Sequence, residues 1–177
     1  MRKASGAVVA MILAIALYFT LFWGFDSLRV LTSSSYGLDD VWHSQFVFGV
    51  GRIFHLGPIG LIKLAVFFAV MKLAAAAVFA IHIADRLRSL AGGKVNKEIL
   101  ESGLILVVLI SSVSVAPALV SKNFELVHEQ TIDLLLAGLA AALTIIERNY
   151  AAAEAPAEIA AEAVIAAKGA TWFTPWR

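Results

Sequence analysis

Four apolar runs, residues 7–24, 59–84, 99–120 and 126–146, decide what this chain can fold into. Each is close to the roughly 20 residues a helix needs to cross about 30 Å of hydrocarbon. Inside lipid every backbone N–H and C=O must be bonded within the chain, so runs of this kind become helices. The expected class is therefore all-α, a polytopic membrane protein with four transmembrane helices. Composition enters at one point. With 60% of its 177 residues hydrophobic and only 15% charged, the chain lacks the polar surface of a water-soluble domain.

The runs differ in their flanks. Ala7–Gly24 follows Arg2 and Lys3, a pattern a secretory signal would share. It ends in Phe22-Trp23-Gly24-Phe25 with no small-x-small site directly after it, so an uncleaved first span is expected. Ile59–Ala84 would extend about 39 Å as a helix and so should tilt or overshoot the hydrocarbon. Pro58 stands at its first position, where the missing N–H costs nothing, and Asp85, Arg86 and Arg88 close it. Ile99–Val120 carries Pro117 near its far end, where a kink is expected. Leu126–Ile146 is the most polar run, with His128, Glu129, Gln130, Thr131 and Asp133 in its first turns. Residues 1–149 then form one four-helix membrane domain, and residues 150–177 an Ala/Glu-rich tail with an aromatic end.

Basic residues set the orientation. With the N-terminus inside, Arg2, Lys3, Arg86, Arg88, Lys94, Lys97, Arg148, Lys168 and Arg177 are cytoplasmic, against Arg29, Arg52 and Lys122 outside. Both termini are expected in the cytoplasm, in a bacterial inner membrane. The first outer loop, 25–57, is too long for a turn. After the Ser/Gly cluster 32–37, residues 40–56 are aromatic and interrupted by His43, Ser44, Gln45 and Arg52. This predicts an amphipathic helix in the outer interface with Trp42 at headgroup depth. A re-entrant segment is the alternative, since Gly49, Gly51 and Gly57 permit close backbone approach.

The inner loop 85–98 and the tight turn at 121–123 make consecutive spans antiparallel neighbours. In the tail, Glu154, Glu158 and Glu162 share one helical face, and Lys168-Gly169 resembles a stop, which predicts a short cytoplasmic tail helix. Trp172, Phe173 and Trp176 are candidate docking residues, for a partner's groove or the interface.

Charge inside the membrane is the remaining signal. Lys72 lies about 21 Å along its helix from Pro58, near the midplane, where a lysine costs roughly 2.5–3.5 kcal/mol on insertion scales. Counting depth from Asn123 puts Asp133 within reach as an ion-pair partner. Glu129 stands one turn above Asp133, and Lys63 matches Glu129 in depth while facing away from Lys72. Lys72, Asp133, Glu129 and Lys63 are thus the candidate ion pair or ion path. Ser111, Ser112 and Ser114, with Ala137-Gly138, read as helix-packing positions.

There is no cysteine, so thiolate metal sites, iron–sulfur ligation and thiol catalysis are excluded. A bis-histidine haem needs two imidazoles at matching depth. His82 lies at the inner end and His128 at the outer, so they cannot pair. His43, His55 and His128 share the outer side without ligand-like spacing. No metal or cofactor is expected on this basis, with a haem or pigment at the outer histidines as the outside reading. Nucleic acid is not an expected partner at a net charge of +1.

No catalytic motif is present, and an enzyme is not expected. The leading expectation is a small non-enzymatic membrane subunit or scaffold of a larger complex, packing through alanine-rich helices and docking by its aromatic end. Its partners would be lipid, other membrane subunits or further copies of the chain. The alternative is a small oligomeric transporter or channel with a Lys/Asp/Glu path. A haem- or pigment-binding redox subunit is the third.

Overall fold

The computed structural model describes residues 2–38, 41–89, 97–120 and 124–170, with side chains described for 6–38, 46–89, 98–115, 117–119, 124 and 126–150. The fold is all-helical, with no strand among the described residues. Five helices follow in chain order: α1 (Arg2–Thr32), α2 (Val41–Ile53), α3 (Pro58–Ser89), α4 (Lys97–Val120) and α5 (Phe124–Ala170). Four of them contain segments long and apolar enough to cross a membrane: Gly6–Thr32, Pro58–Ser89, Glu98–Leu119 and Leu126–Tyr150. The protein is an integral membrane protein by that architecture.

The helices close into a ring in the order α1, α3, α4, α5, with α5 returning to α1. A shared spacing explains the ring. Buried or half-buried positions fall at 12, 16, 19, 23, 26 and 30 in α1, and at 65, 69, 72, 76 and 79 in α3. In α4 they fall at 100, 104, 107, 111, 114 and 118, and in α5 at 126, 130, 133, 137, 140, 144 and 147. Each stripe alternates steps of four and three, the seven-residue repeat that keeps one seam facing its neighbours in near-parallel bundles. The opposite faces carry Leu, Ile, Val and Phe side chains such as Leu21, Phe67, Ile105 and Leu135, all exposed. In lipid that outward apolarity is the solvated arrangement.

Small residues let the helices approach. Gly24 of α1 faces Ala76 of α3, and a Cβ there would sit at 3.6 Å. Gly103 of α4 receives the Phe79 ring, which would lie only 3.1 Å from an added Cβ. Side-chain hydroxyls turn back on their own helices. Thr20 donates to the Ala16 carbonyl (2.8 Å), Ser27 to Trp23 (2.6 Å), Ser114 to Ile110 (2.8 Å) and Thr144 to Ala140 (2.8 Å). These bonds hide polar atoms without a water.

Two boundaries differ from the sequence reading. Helix α1 continues past Gly24 to Thr32, because Ser27 and Thr32 bond to carbonyls one turn back rather than opening a loop. It stops at a left-handed pair, Tyr36 (φ 53°) and Gly37 (φ 73°), where the Gly37 N–H donates to Ser33 Oγ at 2.7 Å. Helix α5 runs unbroken from Phe124 to Ala170, so the helical residues after the fourth span continue its axis. Pro117 lies within α4, three residues short of its end.

Helix α2 packs on α3 and α4 at one end of the ring, burying Val47 and Val50. The chain returns through His55 (φ 51°) to Pro58, which starts α3. The loop around Gly92-Gly93, the turn at 121–123, the terminal Trp172, Phe173 and Trp176, and the side chains of Trp42, His43, Lys97, Glu125, Glu154, Glu158 and Glu162 lie outside the described residues.

Candidate functional site

The core stripes carry polar residues at both ends and almost none between. Toward the α2 end, Asp26, Lys72, Gln130 and Asp133 all occupy stripe positions, so the helix register itself turns them inward. Lys72 donates to Asp26 Oδ2 at 3.0 Å, with the two side chains 17% and 20% exposed. Lys72 Nζ also lies 5.8 Å from the centroid of the Trp23 ring, within cation–π range. Trp23 in turn donates its indole N–H to Asp133 Oδ2 (3.2 Å), and the Tyr18 hydroxyl donates to Oδ1 (3.4 Å).

Lys72 is therefore paired, but with Asp26 and not with the Asp133 that depth counting suggested. Asp26 escaped because the first span was ended at Gly24, which left the acid in a loop. Once α1 runs to Thr32, Asp26 falls one turn after Trp23 on the same stripe. Asp133 is fully buried and is met by two neutral aromatic donors from α1. Three helices are thus tied by one chain of contacts running Asp26, Lys72, Trp23, Asp133, Tyr18.

Above this chain lies a cavity of about 60 Å³. By the criterion of roughly 10–15 Å³ per water, it has room for a few waters. All four spans contribute to its wall: Asp26 and Val30 from α1, Ala65, Phe68, Ala69 and Lys72 from α3, Ser114 from α4, and Leu126, Glu129 and Gln130 from α5. Phe46 and Val47 of α2, with Tyr36 of the turn, complete it at the α2 end. Ala65 and Ala69 explain why a hole exists, since a bulky residue at either stripe position would fill it. Phe46 meets Phe68 edge to face, with centroids 4.7 Å apart.

Two acceptors in the cavity wall lack partners among the described residues, Glu129 Oε2 and Gln130 Oε1. Gln130 is 3% exposed, and a buried acceptor left unmatched costs on the order of 1–3 kcal/mol.

Below the chain of contacts the core is apolar. Phe19 and Phe79, both fully buried, stack at 5.1 Å across α1 and α3, with Val107, Ala137 and Ala140 completing the layer. At the far end polar groups return. Arg86 clamps Glu147 with two bonds of 2.8 Å, α3 to α5, and Arg148 pairs with Glu101. His82 is fully buried with neither ring nitrogen partnered among the described residues. The sequence offered Arg86 only as a charge closing its span, and Glu147 lies one residue past the fourth apolar run.

The remaining candidates scatter. Lys63 is exposed on α3, away from the cavity. His55 and His128 are exposed at the α2 end, and His43 has no described side chain. No group of three metal-ligating side chains occurs among the described residues. Of the four candidates for the ion pair or path, Lys72 and Glu129 line the cavity and Asp133 lies behind Trp23.

Fold-level likeness would not have carried a function in any case. Compared with known proteins, the chain matches no family model, no curated protein and no solved structure, so the charged cavity is the ground on which its function must be argued.

Proposed function

We propose that the protein binds a small polar solute in the charged cavity and passes it across the membrane, as a small transporter. The cavity carries this reading: a space of about 60 Å³ inside the ring, walled by four spans, with Asp26, Lys72, Glu129 and Gln130 on its surface. Charged groups within spans are costly and cluster along substrate paths. A purely structural ion pair would be packed shut, whereas this one borders open space. In the orientation that the basic residues favour, the cavity faces the outside, with α2 lying in the outer interface. The Phe19–Phe79 layer then closes the cytoplasmic half, and release inward requires those rings to part.

The test is flux. Protein reconstituted in liposomes should admit small polar solutes faster than empty liposomes do, and the charge-balanced double variant Asp26→Leu/Lys72→Met should abolish the difference while the protein stays folded in detergent. Equal flux in protein-containing and empty liposomes across small cations, anions and neutral solutes sinks the reading.

One observation favours a second reading. Helix α5 runs to Ala170, twenty residues past the end of the fourth candidate span at Tyr150. An alanine-rich helix continuing past the fourth span suits a subunit or scaffold that docks on a larger membrane complex, with Trp172, Phe173 and Trp176 as its contacts. Gentle purification from the native host separates the two: larger subunits in fixed ratio support docking, and a lone homo-oligomer removes it.

A further inference from the structure

We infer that the cavity takes a small monovalent cation bearing N–H donors, an ammonium or short alkylammonium ion, held by Glu129 and Gln130. This rests on the solute-binding reading above and names its ligand.

Charge comes first. Lys72 and Asp26 neutralise each other at 3.0 Å. Glu129 then remains as the cavity's own charge among the described residues, and it is negative. Its Oε2 is buried and unpartnered, as is Oε1 of the neighbouring Gln130. Both are acceptors, and the ammonium in the wall, Lys72, is shown bonded to Asp26 rather than to either of them. Two unpartnered acceptors, one of them a carboxylate oxygen, favour a donor carrying positive charge.

The rest of the wall agrees. Phe46 and Phe68 present aromatic rings to the cavity, and ring faces attract ammonium groups, more strongly where water is excluded. Size sets the ceiling. A cavity of about 150 Å³ admits benzene, so about 60 Å³ suits an ion the size of ammonium or methylammonium. A divalent metal would want six or more oxygens or an octahedral set, and no metal-ligating group of three is present among the described residues.

The experiment is equilibrium binding of radiolabelled methylammonium to the purified full-length protein in detergent. Saturable binding is expected, competed by ammonium but not by sodium, acetate or urea. Glu129→Gln should weaken it at least tenfold without changing the unfolding temperature. Gln130→Met, which keeps volume and removes the acceptor, should weaken it several-fold, so the assignment survives if one variant fails to fold.

Saturable acetate binding, lost in Lys72→Met and without any methylammonium binding, overturns the cation assignment but leaves a solute-binding cavity. Sodium competing as well as ammonium overturns the N–H requirement. Methylammonium binding without flux in liposomes upholds the ligand and removes translocation. No binding of any probe removes both.

Discussion

The two halves of the bundle use the same four helices and the same seven-residue stripes to opposite ends. Toward the far end the stripe positions hold Phe19, Phe79, Ala137 and Ala140, and the seams close on aromatic rings admitted by Gly103. Toward the α2 end the same stripes hold Asp26, Lys72, Gln130 and Asp133, and the seams part around a cavity. Lipid does not drive apolar helices together as water does, so close packing must hold the first half. Polar pairing holds the second. Register fixes which residues face inward, and their size and polarity decide whether a layer is sealed or left with room.

Three sets of substitutions press on that contrast. The largest effect is expected where charge compensation is broken. Asp26→Leu should cost about 3–5 kcal/mol, because it strands Lys72. Adding Lys72→Met should recover most of the loss, as read by unfolding in mixed detergent. A cost under about 1 kcal/mol for Asp26→Leu alone would mean that water in the cavity already solvates Lys72, and the two halves would differ more than the packing suggests.

Next comes the sealed half. Gly103→Ala puts a methyl 3.1 Å from the Phe79 ring and 3.3 Å from a Val78 methyl. Overpacking of this kind costs about 1–3 kcal/mol. Gly138→Ala, on the same scaffold, meets nothing within 4 Å and should be neutral or slightly stabilising. Equal effects from the two would show that the far half is not tightly packed after all.

The smallest effect concerns His82. With neither nitrogen partnered among the described residues, the imidazole spends desolvation for no hydrogen bond, so His82→Leu should change stability by less than about 1 kcal/mol or raise it. A loss above about 2 kcal/mol would reveal a polar partner, and the far half would then contain a wet layer of its own.

Much of this was legible beforehand, and the misses share a cause. Runs of apolar residues located the second, third and fourth spans to within a few positions, since length and hydropathy are properties of one helix. Lys72 stood out for the same reason. Its partner did not, because pairing depends on which helices are neighbours, and a ring that brings α5 back to α1 leaves no mark in hydropathy. The steps of four and three were present in the sequence all along. Extending that stripe through Trp23 to Asp26 would have shown that the first helix was longer than its apolar run. The Arg86–Glu147 clamp was missed likewise, because Arg86 looked like an end signal until Glu147 was found opposite. The cavity was least legible, because Ala65 and Ala69 become a hole only when the facing residues are also small or held aside.

The Lys72–Asp26 pair joins residues 46 positions apart, and that interval is also a time. During synthesis at roughly 5–20 residues per second, Asp26 is made several seconds before its lysine exists. The acid sits only six residues from the end of α1, about 9 Å along the axis, so it can wait at headgroup level. When α3 arrives, the two helices can enter the hydrocarbon as a neutral couple. Where the pair sits along the chain thus gives the acid an interval of several seconds before its counter-charge exists, which is the time the first helix must spend with an uncompensated carboxylate near its end.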